Sequence, residues 1–301
     1  VSETIATVNL KYFAQLIALS ALWGASFPMV RIASPLLGPG VLATTRMAIA
    51  SLTLGLIMVW IGQRWPREHW RELALLGLLS IAAPFLCFTW AALHLPAGYV
   101  ALLNTMAVVF GTAASAWLKE DTLTGKKLLG GLIGLTGVGL VVGLGPVEPT
   151  REVLQGAAAA ILGAFFFGFA TPLMKRATRR MEPLAIAAPA HAIGLLILLP
   201  VGVWTWPQAH FTPLTMLIVF ILGVVTSGLA FWMHLRIMRH MTPVAAMSPM
   251  FFIPIFGVTW GHLILDEALS PGIYLGGALV LLGAALVTGF NPFRAAAVIP
   301  P

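Results

Sequence analysis

Two things are scarce in this chain: thiols and charge. There is one cysteine, Cys87, and it sits in an apolar run. An intramolecular disulfide and a thiolate metal cluster are therefore excluded. Charged residues make up 9% of the chain, against about 25% in soluble domains. All ten acidic residues lie at the ends of apolar runs or between them, and none in the middle of one. A carboxylate proton relay or a carboxylate sodium site is disfavoured on that ground, because intramembrane relays place such groups deep. The patterns HExxH and GxSxG and paired intramembrane carboxylates are missing as well, which argues against a membrane enzyme. There is no low-complexity segment or flexible linker, and no polar stretch long enough to be a separate domain.

What is present is apolar surface. Hydrophobic residues are 59% of the 301, and mean hydropathy is +0.95. The expected class is an all-α, polytopic membrane protein forming a single transmembrane domain over residues 1–301. About 20 apolar residues cross a bilayer as a helix. Ten such spans can be drawn, near 11–31, 40–62, 73–94, 97–118, 125–145, 153–174, 184–205, 213–235, 243–264 and 271–290. Pro39, Pro66, Pro149, Pro183, Pro207, Pro213 and Pro271 punctuate the breaks. The first run is longer than a signal-peptide core and no small-residue cleavage pattern follows it, so it is expected to remain as span one.

The net charge of +7 invites a nucleic-acid reading until the charges are located. With the N-terminus cytoplasmic, 14 Lys and Arg fall on the cytoplasmic side, from Lys11 and Arg64 through Arg239 and Arg294, and Arg151 alone falls on the other. That asymmetry is membrane topology. It predicts cytoplasmic termini, an even number of spans and no nucleic-acid partner. The bilayer and a small-molecule substrate are the expected partners, a monomer the expected unit, and no cofactor or metal is called for. His262, Asp266 and Glu267 have metal-like spacing, but acids at a helix end are the commoner explanation.

The chain also repeats itself. Gly24, Pro28, Arg31 and Pro39 return 144 residues later as Gly168, Pro172, Lys175 and Pro183. Further on the offset is 146: Gly77 pairs with Gly223, Phe85 with Phe231, Phe110-Gly111 with Phe256-Gly257, and Gly130, Gly131 and Gly137 with Gly276, Gly277 and Gly283. Repeat one covers about 9–146 and repeat two about 152–291. Five spans per copy is an odd number, so the second copy enters the membrane from the opposite face. Two inverted five-helix repeats with Gly- and Pro-interrupted helices suit a secondary transporter. Gly24, Pro28, Gly168, Pro172 and Pro254 are the candidate hinge or gating residues. The glycines of spans five and ten read as close-packing surfaces.

Trp23-Gly24-Ala25-Ser26-Phe27 with Arg31, then Arg46-Met47-Ala48-Ile49-Ala50, then the acidic-x-Leu-Ser/Thr ends at Asp121–Thr124 and Glu267–Ser270, occur in this order ahead of Gly-rich spans five and ten. The set resembles the drug/metabolite transporter superfamily, EamA type, over nearly the whole chain, and within it the aromatic amino acid exporters. One departure is Val108, thirteen residues before Asp121, where the pattern seen at Pro254 would place a proline. The resemblance implies a bacterial inner-membrane exporter of amino acids and related small metabolites, with spans five and ten peripheral. The expected mechanism is alternating access by facilitated diffusion or exchange. The alternative is a broader, proton-coupled drug or metabolite exporter of the same superfamily. A nucleotide-sugar carrier would need clustered cations in its cavity, and a channel suits kinked inverted repeats less well.

Rings outnumber what filling requires, and polar side chains near mid-depth are few. The candidate substrate-binding residues are Trp23, Phe27, Ser80, Phe88, Tyr99, Asn104, Phe169, Ser227, Ser248 and Phe252. A cavity lined by such rings and a few hydroxyls and amides suits an apolar or aromatic metabolite. Tyr99 fits an outer gate or the interfacial belt equally. Asn104 stands out because a membrane amide needs a partner or a wet cavity. Arg46 reads either as an anchor for a substrate carboxylate or, as the favoured expectation, as a snorkelling or carbonyl-capping side chain. His191 reads as a packing residue; His234 reads as gating or proton-linked or, as the favoured expectation, as structural.

Overall fold

The computed structural model describes residues 10–119, 122, 124–144, 148, 150–240 and 249–288. Among the described residues the regular elements are all helical. They are α1 (Leu10–Leu37), α2 (Pro39–Trp60), α3 (Trp70–Leu76), α4 (Ala83–His94), α5 (Ala97–Asn104), α6 (Met106–Trp117), α7 (Gly125–Gly143), α8 (Arg151–Thr178), α9 (Pro183–Thr205), α10 (Pro213–Ile221), α11 (Ala230–His240), α12 (Pro249–Leu265) and α13 (Pro271–Thr288). Among the described residues, eight continuous helical stretches are long and apolar enough to cross a membrane. Two further apolar helices, Phe252–Leu265 and Pro271–Val287, are shorter.

The boundaries follow from local chemistry. Pro39, Pro183, Pro213, Pro249 and Pro271 are first helical residues, where a missing N–H costs nothing and φ is already set. Thr124, Thr150 and Thr212 cap α7, α8 and α10 by accepting N–H bonds from Lys127, Val153 and Thr215. Glu267 caps from a distance: Ala97 N–H donates to Oε1 at 2.6 Å and Gly98 N–H to Oε2 at 3.1 Å. It thus serves the orphan donors of α5, 170 residues away in sequence. His262 Nδ1 lies 2.9 Å from the Glu267 carbonyl oxygen, so the metal-like spacing resolves into a helix cap.

Pro28 lies inside α1 and Pro172 inside α8, and neither ends its helix. The departures from α geometry fall elsewhere. Residues Gly77–Ala82 join α3 to α4, and Leu222–Leu229 join α10 to α11, both as π-helical segments. They occupy matching positions at the 146-residue offset. Span four is interrupted at Thr105, with no proline: the bonds Thr105 N–H to Leu102 O and Val108 N–H to Thr105 O have i,i−3 spacing.

Packing follows the repeat. A Cβ on Gly24 would meet Phe256, Gly257 and Ile253, and one on Gly168 would meet Phe110, Gly111 and Ala107. The two sets are equivalent by offset, so α1 packs on α12 as α8 packs on α6. Gly77 faces Ala190 and Ile193 as Gly223 faces Arg46 and Ile49. Gly130 meets Gly283 while Gly137 meets Gly276, so α7 and α13 lie backbone to backbone. Gly131 and Gly134 face Val109 and Met106 instead, so the glycines of α7 serve two neighbours rather than one side. Arg31 Nη1 donates to the Ala92 carbonyl at 2.5 Å, and Lys175 Nζ to the Met238 carbonyl at 2.7 Å. Both acceptors are orphan carbonyls in the last turn of a helix, and both pairs are equivalent by offset.

Candidate functional site

A cleft holding about 740 Å³ of space free of atoms, open solvent beyond its mouth included, lies between these helices. Helix α1 contributes Trp23, Ser26, Phe27 and Val30; α2 contributes Arg46; α4 contributes Pro84, Phe85, Phe88 and Ala92. Val100 and Asn104 come from α5, Phe167 from α8, Thr226 from the second π segment, Phe231 from α11 and Ile253 from α12. Both halves of the chain therefore build the wall. Two pairs in it are repeat equivalents, Trp23 with Phe167 and Phe85 with Phe231.

The polar groups cluster at the second π segment. Arg46 is 3% exposed. Its Nε donates to Ser227 Oγ at 2.5 Å and its Nη2 to Thr226 Oγ1 at 3.0 Å. Its guanidinium carbon lies 4.4 Å from the centroid of the Phe85 ring, a cation–π contact. Thr226 Oγ1 donates to its own helix at Leu222 O, 2.9 Å away. The Thr226 carbonyl accepts from Trp23 Nε1 at 2.9 Å. A π turn re-spaces the backbone ladder, and such turns occur often at functional sites. Here that region is where α1 and α2 attach their polar side chains.

Histidines back this cluster without lining the cavity. His234 packs edge-on against Trp23, ring centroids 5.0 Å apart, and His191 against Phe231 at 4.9 Å. His191 Nδ1 is 2.8 Å from the carbonyl of Ala187. Across the cavity, Phe27 and Phe88 meet edge-on at 6.5 Å. Asn104 is 8% exposed, and its Oδ1 has no hydrogen-bond partner.

Of the residues singled out in the sequence, the structure brings Trp23, Phe27, Phe88 and Asn104 to the cavity wall. Ser227 stands just behind it, holding Arg46. Ser80 does not reach the wall: it is fully buried and donates to its own helix at Leu76 O, 2.6 Å away. Its repeat partner Thr226 makes the same back-bond but also meets Arg46, whereas the equivalent of Arg46 is Ala190 and has nothing to offer Ser80. Phe169 points to another surface, beside Phe165 and the largely exposed Trp117. Tyr99 is 0% exposed, inside the apolar core with Ala91, Leu95 and Ala160, which is neither an interfacial belt nor the cavity wall. Phe252 is half-buried and outside the wall. Ser248 lies outside the described residues. Sequence reasoning missed Phe167 and Phe231, although the repeat offset from Trp23 and Phe85 points to both. It also gave Arg46 the wrong surroundings: the side chain turns inward to hydroxyls rather than outward to headgroups.

The comparisons with known proteins agree with this architecture. The family model described as the EamA-like transporter family matches residues 11–143 and 154–289. A protein of Streptantibioticus cattleyicolor named "Probable terminal-alkyne amino-acid exporter" is 25% identical over 88% of this chain and 89% of its own. Protein PecM of Dickeya dadantii is 27% identical over 79% and 80%, and the uncharacterized transporter YvbV of Bacillus subtilis 25% over 92% of both chains. A crystal structure 18% identical in sequence superposes with a TM-score of 0.66, covering 90% of this chain and 94% of that one, which speaks for the fold alone. With one family model covering both halves of an all-helical, membrane-spanning chain, the protein belongs to the EamA-like transporter family.

Proposed function

We propose that the protein is a ten-span carrier that exports amino acids, aromatic ones included, and related small metabolites across a bacterial inner membrane. In this reading two five-helix copies of opposite orientation enclose the cavity, both termini are cytoplasmic, and transport is alternating access without an obligatory ion gradient. The observation that carries it is the cavity itself: rings from both copies, two equivalent pairs among them, around one small polar cluster. Packing that exchanges between the halves, with Gly24 on α12 and Gly168 on α6, supports the two-copy reading. The name of the Streptantibioticus relative supports the substrate class. Among the described residues no Asp or Glu lines the cavity, which is consistent with uncoupled flux. Gly24, Pro28, Gly168, Pro172 and Pro254 are the positions at which the long helices would yield, with the π segments beside them.

Uptake of a labelled amino-acid panel into proteoliposomes tests this. The expected result is saturable uptake of aromatic and branched-chain amino acids, faster when unlabelled substrate is loaded inside, and unchanged by an imposed pH gradient. Flux proportional to concentration without limit would indicate a channel. An absolute need for a pH gradient would replace the uncoupled mechanism with a proton-coupled one.

A further inference from the structure

We propose that the cavity recognises its substrate as a zwitterion, with Arg46 taking the carboxylate and Asn104 the ammonium group. The proposal rests on the amino-acid reading above and gives it a recognition chemistry.

Arg46 is a buried cation without a counter-ion. Among the described residues no carboxylate pairs with it; its hydrogen-bond partners are two neutral hydroxyls, with the face of Phe85 beneath. Hydroxyls orient a guanidinium but do not neutralise it. An unpaired charge held inside a membrane protein is costly. A guanidinium has five N–H donors, and two of them are placed here. The side chain is also part of the cavity wall. A planar fork with free donors, fixed from behind, is suited to a carboxylate, which accepts two parallel bonds from it.

Asn104 supplies the opposite requirement. It borders the same cavity, more than nine-tenths buried, and its Oδ1 meets no donor. An amide oxygen left bare in an apolar setting costs free energy that a donor would recover. A simple organic anion brings no such donor, while an ammonium group brings three. The two groups sit on α2 and α5, and rings at Trp23, Phe27 and Phe88 form wall around them. Those rings are where an apolar side chain would lie.

The repeat sharpens the point. Four of the wall rings form two repeat pairs, Trp23 with Phe167 and Phe85 with Phe231, whereas the equivalents of Arg46 and Asn104 are Ala190 and Met250. Duplication accounts for those four rings; it does not account for one cation and one bare acceptor in the wall of the same cavity.

The test uses the full chain in proteoliposomes, with labelled L-phenylalanine and two competitors that each lack one group: phenethylamine, with no carboxylate, and 3-phenylpropionate, with no amine. L-leucine with its corresponding amine and acid serves as a second series. In the wild type each competitor is expected to bind at least about 10-fold more weakly than the amino acid, the loss typical of one charge-assisted hydrogen bond. In Arg46→Gln the preference over phenethylamine falls toward one, while the preference over 3-phenylpropionate persists. In Asn104→Leu the pattern reverses. Arg46→Lys keeps part of the carboxylate preference. A merely structural role for either residue would lower all affinities together and leave these ratios unchanged. Should a variant not fold, the wild-type ratios still decide: competitors as strong as the amino acid overturn the proposal. Uptake of amino acids with ratios unaltered in both variants overturns the assignment to Arg46 and Asn104 but leaves the amino-acid reading standing. A wild type that carries no amino acid overturns both.

Discussion

At the scale of single residues, glycine is what lets the helices of this protein meet at their backbones. A Cβ on Gly137 would lie 2.6 Å from the Gly276 carbonyl oxygen and 2.7 Å from the Val280 nitrogen. Backbone cannot give way as a flexible side chain can. Gly137→Val is expected to lower stability by about 1–3 kcal/mol, the usual cost of overpacking, read as a lower melting temperature in detergent. Gly139, two residues on, has nothing within 4 Å of an added Cβ, and Gly139→Val should leave that temperature nearly unchanged. The repeated glycines could be read from the sequence because their reason is steric and local. The cavity residues were only half legible. Trp23, Phe27, Phe88 and Asn104 reached the wall, but Phe169 and Ser80 did not. In a soluble helix the polar face shows which side is buried; in lipid both faces are apolar, so counting rings does not say which way they point. Phe165, Phe166, Phe167 and Phe169 fall within about one and a half turns of α8, and of these only Phe167 borders the cavity.

At the scale of helices, tertiary partners close what the local sequence leaves open. Arg31 and Lys175 each reach from the first helix of their half to an orphan carbonyl at the end of another. A cation at a helix C-terminus also meets the negative end of the macrodipole. Arg176 does likewise at Leu118, just past the end of α6, at 2.9 Å. Two cations counted as loop charge in the sequence, Lys175 and Arg176, are thus also structural caps. Arg31→Met and Lys175→Met are each expected to cost about 1–2 kcal/mol in thermal unfolding, whereas Arg64→Met, on an exposed loop residue, should cost far less. Helix limits were readable from proline and threonine, because capping chemistry is local. The π segments were not. Gly77–Ala82 and Leu222–Leu229 contain residues that suit an ordinary helix, and their extra width is a response to neighbours. Pro28 and Pro172 lie inside spans one and six as drawn from the sequence, and α1 and α8 do run through them; a membrane bundle tolerates such prolines where neighbours satisfy the freed carbonyl.

At the scale of the whole molecule, the duplication was the most legible feature, since an offset survives whatever the helices do in space. Its geometric meaning needs a separate test. Glu68 lies between α2 and α3, and Gln208 at the corresponding place between α9 and α10; both are exposed. In a Cys87→Ser background, Gln208→Cys is expected to react with a membrane-impermeant thiol reagent added to intact cells. Glu68→Cys should react only after the cells are opened. Copies lying the same way up would label together, and the two-copy reading with inverted topology would then be wrong.

The cavity is partly twofold and partly onefold. Four of its rings form two equivalent pairs, so in the carrier reading above an apolar side chain would meet part of the same lining whichever way the bundles tilted. Arg46 and Asn104 have the apolar counterparts Ala190 and Met250, so in the zwitterion reading a charged head group would be held from one side only. A passive carrier cannot reverse a gradient, and its overall equilibrium constant stays at one. On the proposed reading the two half-cycles would nevertheless be inequivalent, so half-saturation measured from the cytoplasm need not equal that measured from outside. A repeated scaffold with a lopsided head-group site would then be a rectifier in rate, with the concentration difference alone choosing the destination.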